Sequence, residues 1–208
     1  MRALEILCLV LVSCQSLLGQ TNTNLVAVGD WSTPIADPDG YTLRGRLLVA
    51  RPLAPKTAGR NRAVFVHNAR VYVELEHLFT GAWYEPIEIC FDAVKDLRFA
   101  MHDAFDQLIP SEAVMIRGPV PRPSWVTVPC DATLRLRADL RMGTENGRKD
   151  VLTIGTADGH WTIGPGTTKD LFLSGRFTAT TNQPSAFLYH RWRGTLNLPK
   201  VKLPNNSK

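Results

Sequence analysis

Residues 132–142 read ATLRLRADLRM, and their two alternating sets of side chains decide the fold class. Leu134, Leu136 and Leu140 occupy one set of positions, whereas Arg135 and Arg137 occupy the other. Successive side chains of a β-strand point to opposite faces, so this segment predicts a strand with one buried face and one solvent-exposed face. A helix would instead scatter the arginines around its circumference.

Other segments repeat this period of two. They are YTLRGRLLV (41–49), ARVYVELEHL (69–78), DLFLSGRFTA (170–179) and YHRWRGTLNL (189–198). Turn residues separate such runs, notably Asp158-Gly159, where glycine accepts a positive φ. Alternation of this kind is typical of antiparallel sheets with one solvated face. The sequence therefore predicts an all-β protein, specifically an antiparallel β-sandwich of immunoglobulin-like character.

One segment, FDAVKDLRFAMHDAFDQLIP (91–110), fits two structures. Asp92 could cap a helix, because apolar residues recur behind it at helical spacing. Leu97, Phe99 and Met101 fit the alternation of a strand equally well. The sequence therefore predicts either one short helix near residues 93–109 or a strand there.

Residues 1–19 predict a secretory signal peptide. A basic start, an apolar run of roughly ten residues and small residues near a cut site are its features, and the run is too short to span a bilayer. Cleavage would follow Ser16 or Gly19, and the alternative to a signal is a buried N-terminal helix. The stretch LVSC (11–14) also resembles a bacterial lipobox, in which case cleavage before Cys14 would make it the lipidated first residue.

The rest of the chain divides simply. Residues 20–40 would form an N-terminal segment or tether, residues 41–204 a single domain, and residues 205–208 a tail. With 208 residues and 44% apolar content, the protein is large enough to bury a core without help from metals. Its formal net charge of +5 favours acidic partners. We expect an exported protein, either periplasmic, envelope-associated or extracellular.

Two cysteines, Cys90 and Cys130, lie outside the signal segment. In an oxidising compartment we expect them to form a disulfide. The alternative is a pair of unrelated buried thiols. No Cys-x-x-Cys or His-x-x-x-His spacing accompanies either residue, so the sequence predicts no metal site.

Catalytic motifs are absent from the sequence. It has no Gly-x-Ser-x-Gly, His-Glu-x-x-His, Walker or Gly-x-Gly-x-x-Gly pattern, and its five histidines are dispersed. No catalytic residue and no cofactor is predicted. The sequence does not decide whether the partner is an anionic polymer, a glycan or an acidic protein. Membrane contact would come only through a lipid anchor, and no specific nucleic-acid motif is present.

Arginines on the polar side of the predicted strands give the main functional indication. Arginine binds phosphate, sulfate and carboxylate bidentately, so a sheet face that carries several could hold a polyanion. The alternative is that they lie on different sheets or pair with Glu and Asp. The predicted binding residues are Arg44, Arg46, Arg135, Arg137, Arg141, Arg191 and Arg193.

Three functional hypotheses follow from the sequence. The first is a non-catalytic binding or structural module of the cell envelope or extracellular space, which uses the arginines. The second is a secreted hydrolase acting on glycans or peptides, for which we expect a pocket that joins His160, Trp161 and an acidic residue. The third is an assembly subunit that pairs through a sheet edge.

Overall fold

The computed structural model describes residues 25–51, 66–81, 84–113, 124–144, 152–156, 159–164, 170–179 and 189–204. Within these ranges every regular element is a β-strand, so the predicted all-β class is confirmed. The predicted signal peptide, the possible lipid site at Cys14 and the tail lie outside the described residues and stay predictions. The described ranges contain no helix with the length and apolar character needed to cross a bilayer.

The described residues form fifteen strands. In chain order they are β1 (Leu25–Val28), β2 (Ile35–Ala36), β3 (Thr42–Ala50), β4 (Val66–Leu78), β5 (Ile87–Phe91), β6 (Leu97–His102), β7 (Leu108–Ile109), β8 (Glu112–Ala113), β9 (Ser124–Val128), β10 (Thr133–Thr144), β11 (Leu152–Gly155), β12 (Gly159–Ile163), β13 (Phe172–Ala179), β14 (His190–Arg191) and β15 (Gly194–Lys202).

These strands form three sheets. The largest has eight strands in the order β1-β3-β4-β10-β11-β12-β8, with β2 also paired to β3, and all its pairs are antiparallel. A four-stranded antiparallel sheet has the order β15-β13-β6-β7. A three-stranded sheet has the order β14-β5-β9, in which β14 runs parallel to β5. The predicted hairpin around Gly159 corresponds to the β11–β12 pair.

The stretch that decided the fold class is part of β10, in the middle of the largest sheet. Leu136, Leu140 and Met142 are buried, whereas Arg135 and Arg137 are exposed. Each buried leucine contributes about 1.5–3 kcal/mol relative to an exposed one. The predicted two-sided strand is confirmed.

One hydrophobic core draws on all three sheets. Val73 of β4, Ile89 of β5 and Phe177 of β13 are all fully buried in it. At Gly45 of β3, an added Cβ would lie 2.8 Å from Cδ2 of Leu198 in β15. β15 therefore packs directly on β3, and the absence of a side chain at Gly45 lets the two strands approach.

The helix predicted as one alternative near residues 93–109 is wrong. The Asp92 side chain closes a single turn, because its Oδ1 accepts a hydrogen bond from the backbone N–H of Val94 at 2.9 Å. The chain then enters β6, whose backbone groups pair with β13. This long-range pairing overrides the helical spacing of the apolar residues, and the strand alternative is confirmed for Leu97–His102.

The predicted disulfide between Cys90 and Cys130 is not seen in the structure, in which both residues are free thiols. Cys90 lies opposite Trp125 in the β5–β9 ladder, so Cys130 is five residues farther along the chain. The part of that offset within β9, from Trp125 to Val128, is roughly 10 Å at about 3.3 Å per residue. A disulfide requires Cα atoms within about 7 Å of each other. Burial raises the pKa of both thiols.

We predict that Gly194→Ala destabilises the protein. A Cβ at Gly194 would lie 2.7 Å from the ring of Trp192, which is fully buried and has no room to move aside. Overpacking of this kind costs about 1–3 kcal/mol of unfolding free energy, which urea titration followed by circular dichroism measures. Gly155→Ala is the control, because nothing lies within 4 Å of its added Cβ. Equal stability of the two variants would contradict the packing described here.

Candidate functional site

Three neighbouring strands carry a charged face built from cross-strand pairs. The register places Arg44 of β3 opposite Glu76 of β4, and Arg46 opposite Glu74. On the other side of β4, Arg135 of β10 also lies opposite Glu74. Directly opposed side chains in antiparallel strands are close enough to interact, so the alternating sequences of β3, β4 and β10 bring unlike charges together.

Glu74 is the centre of this face. Its side chain is only 2% exposed, and its carboxylate accepts hydrogen bonds from Nε of Arg46 and Nε of Arg135, each at 2.6 Å. Burial of a carboxylate is costly unless it is paired and hydrogen-bonded. The two guanidinium groups satisfy one carboxylate oxygen each. Glu74 therefore connects β3, β4 and β10 through side chains as well as through the backbone.

An aromatic ring covers two of these arginines. The guanidinium carbons of Arg44 and Arg46 lie 4.7 and 4.2 Å from the centroid of the Trp31 ring. Arg44 Nε also donates to Oε2 of Glu76 at 2.5 Å. Cation–π contacts at exposed sites contribute about 0.5–1 kcal/mol each. The carboxylates and the indole together fix the positions of the guanidinium groups.

Two further arginines continue the same face. Arg137 lies opposite Tyr72, and Arg70 comes two residues before Tyr72 on β4. No carboxylate among the described residues forms an ion pair with Arg137 or Arg70. The register also places Arg141 opposite Arg70, although its side chain is outside the described part. We call Arg44, Arg46, Arg70, Arg135 and Arg137 the arginine face.

Arg70 was not among the residues predicted from the sequence. Its place in the alternation of β4, on the same side as Tyr72 and Glu74, is the signal that could have identified it. Of the seven predicted arginines, the structure brings Arg44, Arg46, Arg135 and Arg137 together with described side chains, and Arg141 by register.

Arg191 and Arg193 do not belong to the arginine face. Arg191 is in β14 of the three-stranded sheet, with its guanidinium carbon 5.2 Å from the ring centroid of Trp125. Burial raises the pKa of Glu88, and the positive charge of Arg191 offsets part of that increase. Arg193 is exposed in the connection to β15.

A second cluster joins the turn between β2 and β3 to β14. Nε2 of His190 lies 2.5 Å from Oδ2 of Asp37 and 3.7 Å from Oδ2 of Asp39. The other oxygen of Asp37 accepts hydrogen bonds from the backbone N–H groups of Asp39 and Tyr41, at 3.1 and 3.0 Å. The ring of Tyr41 stacks on that of His190 with 4.0 Å between centroids. These donor atoms are of the kinds that bind metal ions.

His77 lies beside this cluster. It is only 1% exposed, and its ring centroid is 6.0 Å from that of Tyr41. Burial lowers the pKa of His77, which favours the neutral imidazole. Among the described residues, its Nδ1 has no hydrogen-bond partner.

Sequence reasoning missed the second cluster because its members are far apart in the chain. His190 and Asp37 are separated by 153 positions. The only local indication was the turn chemistry of Pro38-Asp39-Gly40, which carries no information about a distant histidine.

The pocket that we expected for a hydrolase does not form around Trp161. That side chain is 4% exposed and belongs to the core, where its Nε1 donates to the carbonyl oxygen of Ile109 at 2.9 Å. His160 precedes it in β12 and therefore points to the opposite face, where its Nε2 lies 2.9 Å from Oε2 of Glu112. An acidic partner is present for the histidine, but the tryptophan is not available to line a cleft with it.

Comparison of the chain with protein-family models, with curated proteins and with solved structures found no match.

We predict that Arg46 and Arg135 stabilise the protein non-additively. Either single change to Gln leaves Glu74 with one guanidinium partner, whereas the double change leaves a buried carboxylate with neither. The double variant should lose at least about 1 kcal/mol more unfolding free energy than the two single losses combined, measured by urea titration.

The same comparison of single and double variants at Arg176 and Arg193 is the control. Both are exposed, and they lie on different elements from the arginine face. Their changes to Gln should be additive within about 0.5 kcal/mol. Additivity at Arg46 and Arg135 as well would show that Glu74 does not couple them.

Proposed function

We propose that the protein is an exported, non-catalytic binding module of the cell envelope or extracellular space, which holds an anionic polymer or an acidic partner protein on the arginine face. One observation carries this proposal. Among the described side chains of that face, five arginines are accompanied by only two carboxylates, those of Glu74 and Glu76. The excess of positive charge favours a negatively charged ligand.

The fixed positions of the arginines, in addition to their number, support binding of a negatively charged ligand. Arg44 and Arg46 are held by carboxylates and by the Trp31 ring, and Arg135 is held by Glu74. Their side chains lose little further freedom when a ligand arrives, so less conformational entropy opposes binding. Arg70 and Arg137 have no such carboxylate in the described chain and carry the excess charge.

The dimensions of the arginine face favour an extended ligand. Alternate residues on a strand are about 6.7 Å apart, so the positions from Arg44 to the level of Arg70 span about 20 Å along the strands. A single phosphate or sulfate ion would contact only part of this surface. A sulfated or carboxylated polymer, or an acidic protein, could contact all of it.

The cellular location in this proposal comes from the sequence. Residues 1–19 have the basic start and short apolar run of a secretory signal peptide. A lipid on Cys14 would place the module at a membrane surface, and cleavage after Ser16 or Gly19 would release it.

For the architecture we propose a sandwich of immunoglobulin-like character. The packing of β15 on β3 at Gly45 supports it, because β15 belongs to the four-stranded sheet and β3 to the eight-stranded one. Two sheets that share one core in this way turn their other faces away from it, and the arginine face would lie on one of those.

Substitution of Arg70 and Arg137 tests the binding proposal. Neither residue pairs with Glu74 or Glu76, so the Arg70→Gln/Arg137→Gln variant should keep the fold. We expect weaker binding to heparin and to poly-aspartate, measured by fluorescence anisotropy across a salt series. The slope of log affinity against log salt should fall by about one for each arginine removed.

The matched control is Arg176→Gln/Arg193→Gln, which removes the same charge from other surfaces. It should leave both affinity and salt slope close to those of the wild type. Binding that does not respond to salt, or that weakens equally in the two double variants, would refute the role of the arginine face.

A second candidate function, assembly through a sheet edge, has one observation in its favour. β1 is the end strand of the largest sheet, and its Leu25, Val26 and Val28 are 37%, 38% and 51% exposed. Unpaired edge strands with apolar side chains invite pairing with another strand. No comparable observation among the described residues favours the hydrolase.

Sedimentation analysis separates this candidate from the first. If β1 mediates assembly, the wild-type protein forms oligomers and Val28→Lys is monomeric, because lysine on an edge strand opposes pairing. Leu108→Lys is the control, since Leu108 is exposed on an edge strand of a different sheet. A wild-type protein that is monomeric at every concentration would exclude assembly through β1.

A further inference from the structure

Three potential ligand side chains meet where the β2–β3 turn approaches β14. Their ligand atoms, one from each of Asp37, Asp39 and His190, all lie within 4.8 Å of one another. The Asp37 side chain is 1% exposed and that of His190 is 19% exposed, whereas that of Asp39 is 70% exposed. The cluster is therefore enclosed on the Asp37 side and open to solvent on the Asp39 side.

Neighbouring groups fix the orientation of these side chains. Oδ1 of Asp37 is bound by two backbone N–H groups, which leaves Oδ2 directed at His190. The His190 ring stacks on Tyr41 with an interplanar angle of 6°. The carbonyl oxygen of Tyr41 in turn accepts a hydrogen bond from Nε1 of the buried Trp192 at 3.1 Å. Metal sites depend on such supporting contacts to hold their ligands.

One of the distances between the ligand atoms is close to that of a metal site. Tetrahedral coordination with bonds of about 2.1 Å separates ligand atoms by about 3.4 Å. The distance from His190 Nε2 to the Asp39 oxygen is 3.7 Å, and that to the Asp37 oxygen is 2.5 Å. A hydrogen-bonded proton spans the shorter distance, and a metal ion in its place would open that distance by about 0.9 Å.

His77 is a further buried polar side chain near the cluster, although it is not one of the three residues whose ligand atoms lie within 4.8 Å of one another. It is 1% exposed and lies next to Tyr41, and its Nδ1 has no partner among the described residues. A buried polar atom without a partner costs about 1–3 kcal/mol. A water molecule or an ion beside Nδ1 would satisfy it.

We propose that Asp37, Asp39 and His190 bind one divalent transition-metal ion of the class represented by Zn²⁺. Imidazole and carboxylate ligands suit such ions, whereas Ca²⁺ prefers six to eight oxygen ligands. Three protein ligands leave at least one coordination position for water. The site includes no residue of the arginine face, so metal binding can be tested independently of the proposed binding function.

The ion connects two parts of the fold. Asp37 and Asp39 belong to the turn between two strands of the largest sheet, and His190 belongs to the three-stranded sheet. An ion that binds the folded state stabilises it in proportion to the logarithm of its concentration above the dissociation constant. The midpoint of thermal unfolding therefore rises with added metal and falls with a chelator.

Zinc titration of the full chain tests the proposal. After treatment with a chelator, calorimetry should show that one Zn²⁺ binds at this site, together with a higher unfolding temperature. Co²⁺ in place of Zn²⁺ should give the visible absorption of a tetrahedral site. Asp39→Asn removes an exposed ligand without disturbing the core, and it should weaken zinc affinity by about tenfold or more.

Glu112→Gln is the matched control, because it removes the carboxylate from the histidine pair at His160, which has no third ligand within the described part of the chain. It should bind zinc as the wild type does. His190→Gln, checked for folding by urea titration, should lose the site. Absence of zinc binding, or zinc binding that Asp39→Asn and His190→Gln leave unchanged, would overturn the proposal, since the ion would then be held elsewhere, for example by a thiol.

Discussion

The buried carboxylate of Glu74 is the constraint on which the largest sheet depends. It lies on β4 between Arg46 of β3 and Arg135 of β10 and accepts a hydrogen bond from each, so one side chain joins three strands. If the register of β3 or β10 slipped by one residue, an apolar residue or a glycine would lie opposite the buried carboxylate of Glu74. The same slip would turn Leu47 or Leu136 toward solvent. Electrostatics on one face and apolar burial on the other therefore specify the same register.

The strands of this sheet could be predicted from the sequence because their period of two is local. Alternation in β10 shows which side chains share a face, and the structure confirms the division between Leu136 and Arg137. Alternation does not show what covers that face. Glu74 occupies a position that the alternation of β4 assigns to solvent, yet the residue as a whole is 1% exposed. Arginines of the two neighbouring strands surround it, and the Trp31 ring lies over two of these arginines. The alternative that some of the arginines pair with glutamates is the one the structure adopts at Arg44, Arg46 and Arg135.

The features that the sequence did not predict correctly have a common physical cause. Each of them depends on contacts between residues that are distant in sequence. The helical spacing behind Asp92 is real, but pairing of β6 with β13 competes with it and prevails. The sequence around the two cysteines does not show whether they pair, and in the structure both are free thiols. The approach of His190 to Asp37 depends on the positions of two separate sheets, which no local window of sequence contains. Secondary structure was therefore more accessible to prediction than the candidate metal site.

The packing of β15 on β3 has a consequence for how the chain folds. β15 and its partner β13 come late in the chain, yet they complete a sheet with β6 and cover residues near Gly45. Contacts between segments so distant in sequence require closure of large loops, which slows folding. Until residues 172–202 have joined, the surface of β3 near Gly45 lacks the cover that β15 provides. Incompletely folded chains therefore expose apolar surface, which favours aggregation.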